Sequence, residues 1–247
     1  MKRSTLVVLT LVATATAALP FFVTQTYAAD PGGSHPASAR KAVAMQQLNA
    51  TPGRAATLPR GVNGAWAIDP QHSRIGFAVR HVMINDVHGS FNDFSGTIVV
   101  NEKDISKSSV DFTAKVDSID TNVPQRDAHL KSSDFFDAGK YPEITFKSTR
   151  IERAGEGFRA IGTLTMHGVS KSISIPFRAS GPVVDGFGYT RAGIQANLQL
   201  NRQDYGVKWN EVLDNGGLAV DNIVRISLDL EAVKEGTGPE PEVAKTD

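Results

Sequence analysis

The chain of 247 residues contains no cysteine. This absence excludes disulfide bonds, cysteine-ligated zinc sites, thiol chemistry and lipid attachment through an N-terminal cysteine. The 26 Lys and Arg residues balance the 26 Asp and Glu residues and leave a formal charge of zero, and no basic stripe is visible in the sequence. A balance of this kind argues against nucleic acid as a partner.

A compact metal-binding motif is also missing. His72, His81 and His88 are spread over different predicted strands or turns, with Asp69 and Asp86 nearby. Zinc sites in proteins have shorter and recognisable ligand spacings. We therefore predict no metal site.

The sequence offers no convincing nucleophile. Ser170 lies in His167-Gly168-Val169-Ser170-Lys171, which lacks the strand–elbow–helix context of a Gly-x-Ser-x-Gly nucleophile. The segment instead favours a hairpin turn, in which Gly168 supplies an unusual backbone angle. We predict no catalytic residue and no cofactor.

The N-terminus has the pattern of a secretory signal peptide. Lys2 and Arg3 precede an apolar stretch from Leu6 to Val23, and small residues surround a cleavage position near Ala28. We predict a cleaved signal over residues 1–28, which changes the formal charge to about −2 by removing two cations. A retained membrane anchor is the alternative, and Pro20 argues against it.

Composition then divides the rest of the chain into three parts. Residues 29–63 are rich in Ala, Pro, Gly and Ser without a sustained apolar period, and they predict a flexible polar linker. Residues 64–234 predict one domain of ordinary size. Residues 235–247 predict a disordered tail, in which Pro239 and Pro241 prevent continuation of the last strand.

The domain shows the two-residue alternation of half-buried β-strands. The apolar rows are Ile75, Phe77 and Val79; Val110, Phe112, Ala114 and Val116; Ile144 and Phe146; Ile173, Ile175 and Phe177; Ala192, Ile194, Ala196, Leu198 and Leu200; and Val224, Ile226, Leu228 and Leu230. Gly162, inside a strand, predicts a bend or bulge. Eight or nine such strands fit a closed barrel or a β-sandwich, and alternation alone does not separate the two.

One segment differs from the strands. Residues 121–137 predict a short helical insertion, in which Asn122 caps the helix and Pro124 occupies its first turn. A polar helix lying against a closed sheet is typical of a plug or lid over a ligand cavity. The irregular segment 201–221, which contains Trp209, either covers one barrel end or carries a short strand into the sheet.

The order of motifs resembles the YceI-like family of exported polyisoprenoid-binding proteins, over residues 65–234. The motifs are Trp66–Ser73, Phe77–His81, Gly89–Gly96, Asp120–Asn122, Arg126–Ser132, Phe135–Asp137, Lys140–Phe146, Gly162–Lys171 and Asn201–Gly206. Each motif is weak alone, but their order and spacing together are specific. The long segment before Trp66 departs from the family, because many relatives pass almost directly from signal peptide to barrel.

This resemblance implies an all-β fold, a lipocalin-like antiparallel eight-stranded β-barrel with a short helical insertion and an elongated hydrophobic cavity. It also implies a non-enzymatic periplasmic protein that sequesters or carries a polyisoprenoid lipid, either a polyprenyl phosphate or an isoprenoid quinone. Transient contact with the membrane is expected of such a carrier. Two alternatives stay open: an accessory protein or enzyme of isoprenoid-quinone redox metabolism, and a packed barrel with a structural or stress role.

Binding residues follow from the apolar rows and from the resemblance. The predicted cavity wall is Phe77, Val79, Phe112, Phe146, Leu164, Ile175, Ile194, Ile226 and Leu228. We predict that a ligand head group contacts His81, Arg126 and His129. An Arg guanidinium can donate two parallel hydrogen bonds to a phosphate, and a His ring can donate or accept a hydrogen bond. The alternative is that the apolar rows pack on one another and that the three polar residues lie at the surface.

Overall fold

A closed ring of hydrogen-bonded strands dominates the computed structural model, which describes residues 56–214 and 216–239. The predicted signal peptide, most of the predicted linker and the end of the predicted C-terminal tail lie outside the described residues. In the described part of the chain, no helix has the length and apolar character needed to cross a membrane.

The described residues form eleven strands and one α-helix. In chain order these are β1 (Gly64–Ile68), β2 (Arg74–His81), β3 (Asn85–Phe91), β4 (Phe94–Val100), β5 (Ser109–Lys115), β6 (Ile119–Asp120), α1 (Pro124–Lys131), β7 (Glu143–Ala154), β8 (Gly157–Met166), β9 (Val169–Val184), β10 (Thr190–Asn201) and β11 (Val220–Lys234). Single 3₁₀ turns occupy Pro70–His72, Ile105–Lys107, Val116–Ser118 and Arg202–Tyr205.

Eight antiparallel strands close into the predicted barrel. The ring runs β1, β4, β5, β7, β8, β9, β10 and β11, and the pairing of β11 with β1 closes it, with Trp66 opposite Lys234 and Ile68 opposite Ala232. A sandwich would have left two open sheets, so the alternative left open by the alternation is excluded. Closure leaves no unpaired strand edge around this ring.

Three strands of the ring, β1, β4 and β5, have a second part in the same sheet, and these second parts are β2, β3 and β6. β1 and β2 both pair with β11, one after the other, and the turn Pro70–His72 separates them. Likewise β3 pairs with β2 while β4 pairs with β1, and β6 pairs with β3 while β5 pairs with β4. We call the end that contains β2, β3, β6 and α1 the helix end, and the opposite end the far end.

The alternating rows face the barrel interior, as predicted. Across the β10–β11 ladder Ala196 lies opposite Leu228 and Leu198 opposite Ile226. Phe91 contacts Phe136 edge-on with ring centroids 6.1 Å apart, so the segment after α1 packs into the same interior. The core is therefore the inside of the barrel, divided into clusters along its length.

The helical insertion is present, but its predicted cap is wrong. Val123 is the N-cap residue of α1 and makes no side-chain cap, while Pro124 occupies the first turn. Asn122 adopts a left-handed backbone with φ of 61°, and its N–H donates to the Asp120 carboxylate at 2.8 Å. Asn122 therefore belongs to the turn that precedes the helix.

Barrel contacts begin before the first strand. The Ala56 N–H donates to the Gly155 carbonyl at 3.1 Å, and the Trp66 indole donates to the Val62 carbonyl at 2.8 Å. Ala56 and Val62 are both buried. The last eight residues of the predicted flexible linker thus lie against the barrel, because their apolar side chains gain burial there.

An arginine cluster reinforces the closing seam at the far end. Arg191 on β10 bonds to Asp69 after β1 at 2.9 Å, to Glu231 on β11 at 2.5 Å and to Asp185 at 2.5 Å. Burial tends to raise the pKa of Asp69, but hydrogen bonds from His72, Arg191 and a backbone N–H outweigh it, and that pKa lies below its usual value. The Arg191 hydrogen bond likewise lowers the pKa of Asp185.

Gly162 is at a bulge, as predicted. The β7–β8 register shifts between Ser148 and Arg150, opposite Gly162. A Cβ placed on Gly162 would lie 2.3 Å from the Lys147 carbonyl oxygen and 2.6 Å from the Ser148 Cα. Because both neighbours are backbone atoms, no rotamer change relieves the contact.

We expect Gly162→Ala to lower the free energy of unfolding by about 2 kcal/mol, the usual cost of overpacking against a rigid neighbour. Gly139→Ala is the matched control, because no heavy atom of the described residues, apart from its own chain neighbours, lies within 4 Å of a Cβ there. Urea denaturation of both variants measures the difference. Equal stability of the two variants would contradict the bulge argument.

Candidate functional site

An apolar cavity in two compartments occupies the barrel interior. The first compartment has a volume of about 180 Å³ and extends to the helix end, where Leu130, Phe135 and Val207 line it. The second has a volume of about 140 Å³ and extends to the far end, where Val62 and Trp66 line it. The two compartments therefore follow one another along the barrel.

Four side chains line both compartments and separate them. They are Phe112, Phe146, Ile175 and Leu228, and we call this set the waist. Phe112 and Phe146 lie directly opposite each other on β5 and β7. A chain-like ligand that occupies both compartments must pass between these four side chains.

The predicted wall residues all line this cavity. Eight surround the first compartment: Phe77, Val79, Phe112, Phe146, Leu164, Ile175, Ile226 and Leu228. Ile194 lines the second compartment. The structure thus places all nine around one interior space, although contact with a ligand stays a prediction.

The three predicted head-group residues lie outside the lining of both compartments. Arg126 donates from Nε to the Thr121 hydroxyl and from Nη2 to the Thr121 carbonyl, each at 2.8 Å. His129 bonds to Asp134 at 2.9 Å, and His81 is exposed at the end of β2. The bonds of Arg126 and His129 stay within the insertion and the turn before it, and a head-group role for the three residues stays a prediction.

An aromatic cluster joins the helical insertion to the loop after β10. The rings of His129, Phe135 and Trp209 contact one another, with centroid distances of 5.0 to 5.1 Å. The loop is further held by a single β-bridge between Val212 and Leu218. Of the two alternatives for segment 201–221, the structure shows a cover over the helix end.

Arg202 is a site residue that the sequence reasoning missed. It is 5% exposed and lines the first compartment, directly after β10. Its Nη1 donates to the carbonyls of Val207 and Trp209 at 2.9 and 2.8 Å, and its Nε donates to the Asp221 carbonyl at 2.9 Å. Its Nη2 bonds to the Val220 carbonyl and to the Asn222 side chain, each at 3.3 Å.

These bonds use all five N–H donors of the guanidinium. Burial lowers the pKa of Arg202, and the nearby charge of Asp221 opposes that shift. Arg202 therefore clamps both ends of the covering loop and has no donor left for a ligand. The motif Asn201–Gly206 contains Arg202, but nothing in the sequence around a single arginine after a strand indicates that it forms five hydrogen bonds.

We expect Arg202→Met to lower the free energy of unfolding by about 3 kcal/mol or more, because buried carbonyls lose charged donors. Arg202→Lys should fall between wild type and Arg202→Met, since an ammonium has three donors. Arg159→Met is the control, because Arg159 forms an exposed ion pair with Glu152 and should change stability by less than about 0.5 kcal/mol. Urea denaturation with Trp fluorescence reports all three, and equal effects at both arginines would contradict the clamp.

One group among the described residues has metal-like spacing. Asp69, His72 and Glu231 offer ligand atoms within 4.8 Å of one another. The Arg191 guanidinium bonds to both carboxylates of this group. A fixed cation thus already balances these acids, and the group lies on the outer seam of the barrel, away from the cavity lining.

Comparison with known proteins agrees with this architecture. The model of the YceI-like domain family matches residues 66–232. The chain belongs to the YceI-like family. Curated relatives include the UPF0312 protein YE1254 of Yersinia enterocolitica, which is 36% identical over 137 residues, or 56% of this chain and 71% of that protein. A UPF0312 protein of Yersinia pestis is 34% identical over the same shares of the two chains.

Solved structures share the YceI-like fold. BcnA of Burkholderia cenocepacia superposes with a TM-score of 0.59 at 23% identity, over 66% of this chain and 98% of that chain. The YCEI protein of Campylobacter jejuni gives a TM-score of 0.53 at 28% identity, over 63% and 90%. A polyisoprenoid-binding domain from Saccharophagus degradans gives 0.51 at 15% identity, over 70% and 98%, which is a likeness of fold alone.

Proposed function

We propose that this protein is a non-enzymatic lipid-binding protein that holds a polyisoprenoid chain inside its barrel. The observation that carries the proposal is the pair of apolar compartments, arranged in series within a closed ring of strands. The solved YceI-like fold from Saccharophagus degradans, described as a polyisoprenoid-binding domain, supports the same ligand class.

The chemistry of the cavity suits a long hydrocarbon. A polyprenyl chain is insoluble in water and needs a dry tunnel with few polar groups. Each buried methylene contributes about 0.8 kcal/mol, so two or three isoprene units offset much of the cost of immobilising the ligand.

The lining also supports binding over catalysis. Among the described residues around the first compartment, Arg202 is the one titratable side chain, and its donors are already used. General acid–base or nucleophilic chemistry needs a free titratable group within reach of the substrate. We therefore favour a carrier or sequestering role over an enzyme of isoprenoid-quinone metabolism.

Filling the first compartment tests the proposal. Leu164→Trp adds volume to the wall, and we expect at least a tenfold loss of solanesol capture, because several methylenes lose their place. Val99→Trp is the control, since Val99 is 42% exposed on the outside of the barrel. Native mass spectrometry after incubation with solanesol measures capture.

Leu198→Phe, at a different point of the same compartment, provides a second filler in case Leu164→Trp folds poorly. Full capture by both folded fillers would exclude the cavity as the lipid site. It would favour the packed barrel with a structural or stress role.

Head-group contacts by Arg126 and His129 belong to this proposal. Replacing both with Gln should weaken capture of a polyprenyl phosphate by about 1–3 kcal/mol, typical of lost charged hydrogen bonds. The uncharged prenol of the same length should be affected much less, because its chain contacts remain. Equal losses for the two ligands, with a lower melting temperature, would show that both residues only hold the insertion.

Export to the periplasm and transient membrane contact complete the proposal. Lys2, Arg3 and the apolar stretch after them support export. Met83 and Ile84, at the β2–β3 turn, are 57% and 78% exposed at the helix end, where they offer apolar surface to a bilayer. Cell fractionation and flotation with liposomes test the two statements, and a cytoplasmic, non-floating protein would reject both.

A further inference from the structure

A segment of this chain that precedes the barrel lines the second compartment. Leu58, Pro59 and Val62 contribute to its wall at the far end. We call residues 56–63 the plug segment. Val62 is 6% exposed and packs with Trp66 in the cluster at this end, while Leu58 packs there from a partly buried position.

Hydrogen bonds hold the plug segment at both of its ends. At its start, the Ala56 N–H donates to the Gly155 carbonyl at 3.1 Å, and Arg153 donates to the Ala56 carbonyl at 2.9 Å. At its end, the Trp66 indole donates to the Val62 carbonyl at 2.8 Å, and Lys234 donates to the Gly61 carbonyl at 3.0 Å. These partners lie on β7, the β7–β8 turn, β1 and β11, so the segment is tied to opposite sides of the barrel.

The plug segment lies outside the part of the chain that matches the family. The YceI-like match covers residues 66–232 and starts after the segment ends. Side chains that complete the far compartment are therefore contributed from outside the matched domain. Substitutions in the plug segment can therefore change the far end of the cavity without changing the matched domain.

We propose that the plug segment closes the far end of the cavity and sets the longest isoprenoid chain that the protein holds. This inference rests on the proposed function. A chain whose head group lies at the helix end fills the first compartment, passes the waist and ends against Leu58 and Val62. A longer chain must displace the plug segment, which exposes the buried Val62 and breaks the hydrogen bonds at its ends.

Substitutions in the plug segment should therefore change length preference in opposite directions. Leu58→Ala combined with Val62→Ala shortens the side chains that end the cavity and weakens their packing. We expect it to raise the affinity for solanesol relative to geranylgeraniol about tenfold, which corresponds to burial of about two further methylenes. Leu58→Trp extends into the compartment and should lower the same ratio about tenfold.

The experiment uses the full mature chain and an equimolar mixture of farnesol, geranylgeraniol, solanesol and undecaprenol. Native mass spectrometry gives the bound distribution for wild type and each variant, and titrations give the affinity ratio. Val183→Ala is the matched control, because Val183 is 62% exposed at the same end of the barrel, and its ratio should stay within twofold of wild type. Thermal unfolding confirms that each variant is folded.

Opposite shifts by the two plug variants, with an unchanged control, support the inference. Unchanged ratios in both folded variants overturn it while leaving lipid binding by the barrel intact. Equal loss of every prenol with a lower melting temperature also overturns it, since the segment would then only support the barrel. Failure of wild type to capture any prenol rejects the proposed function itself, and the length limit with it.

Discussion

Closure of the strand ring between β1 and β11 is the constraint on which the other features of this structure depend. Closure pairs the strand edges of the ring and encloses one side of every strand, so that two-residue alternation separates an inside from an outside. Asp69, directly after β1, and Glu231, on β11, share the Arg191 cation at this seam. An open sheet of the same sequence would expose its apolar rows on one face.

The enclosed space is neither a filled core nor an open channel. Phenylalanines at the waist narrow it, yet apolar volume remains on both sides. An eight-stranded barrel has room for its own side chains or for one small ligand, and this interior combines the two. None of the described residues that line the first compartment is a carboxylate or a histidine, which keeps that volume suitable for hydrocarbon.

The two ends of the barrel are covered by different physical means. At the helix end, buried Arg202 gathers the carbonyls of the loop after β10, and the ring of Trp209 ties that loop to His129 of the insertion. At the far end, a short apolar segment seals by burying Val62 and by a few backbone bonds. The cover at the helix end therefore depends on charged hydrogen bonds, and the cover at the far end depends mainly on apolar burial.

Period-two alternation and the order of the motifs were enough to predict the barrel, its inward rows, the bulge at Gly162 and the helical insertion. The inward rows, the bulge and the insertion depend on local pattern, which the sequence by itself determines. The barrel was predicted from the order of the motifs, because alternation alone fits a sandwich equally well. Asn122 had two local possibilities, a helix cap or a turn closed by the Asp120 carboxylate, and the sequence pattern does not separate them. Only the tertiary structure decided that Arg202 binds five acceptors and that residues 56–63 reach back to the barrel. Both depend on partners distant in the chain, such as Asp221 for Arg202 and Gly155 for Ala56, and no local periodicity encodes such a meeting.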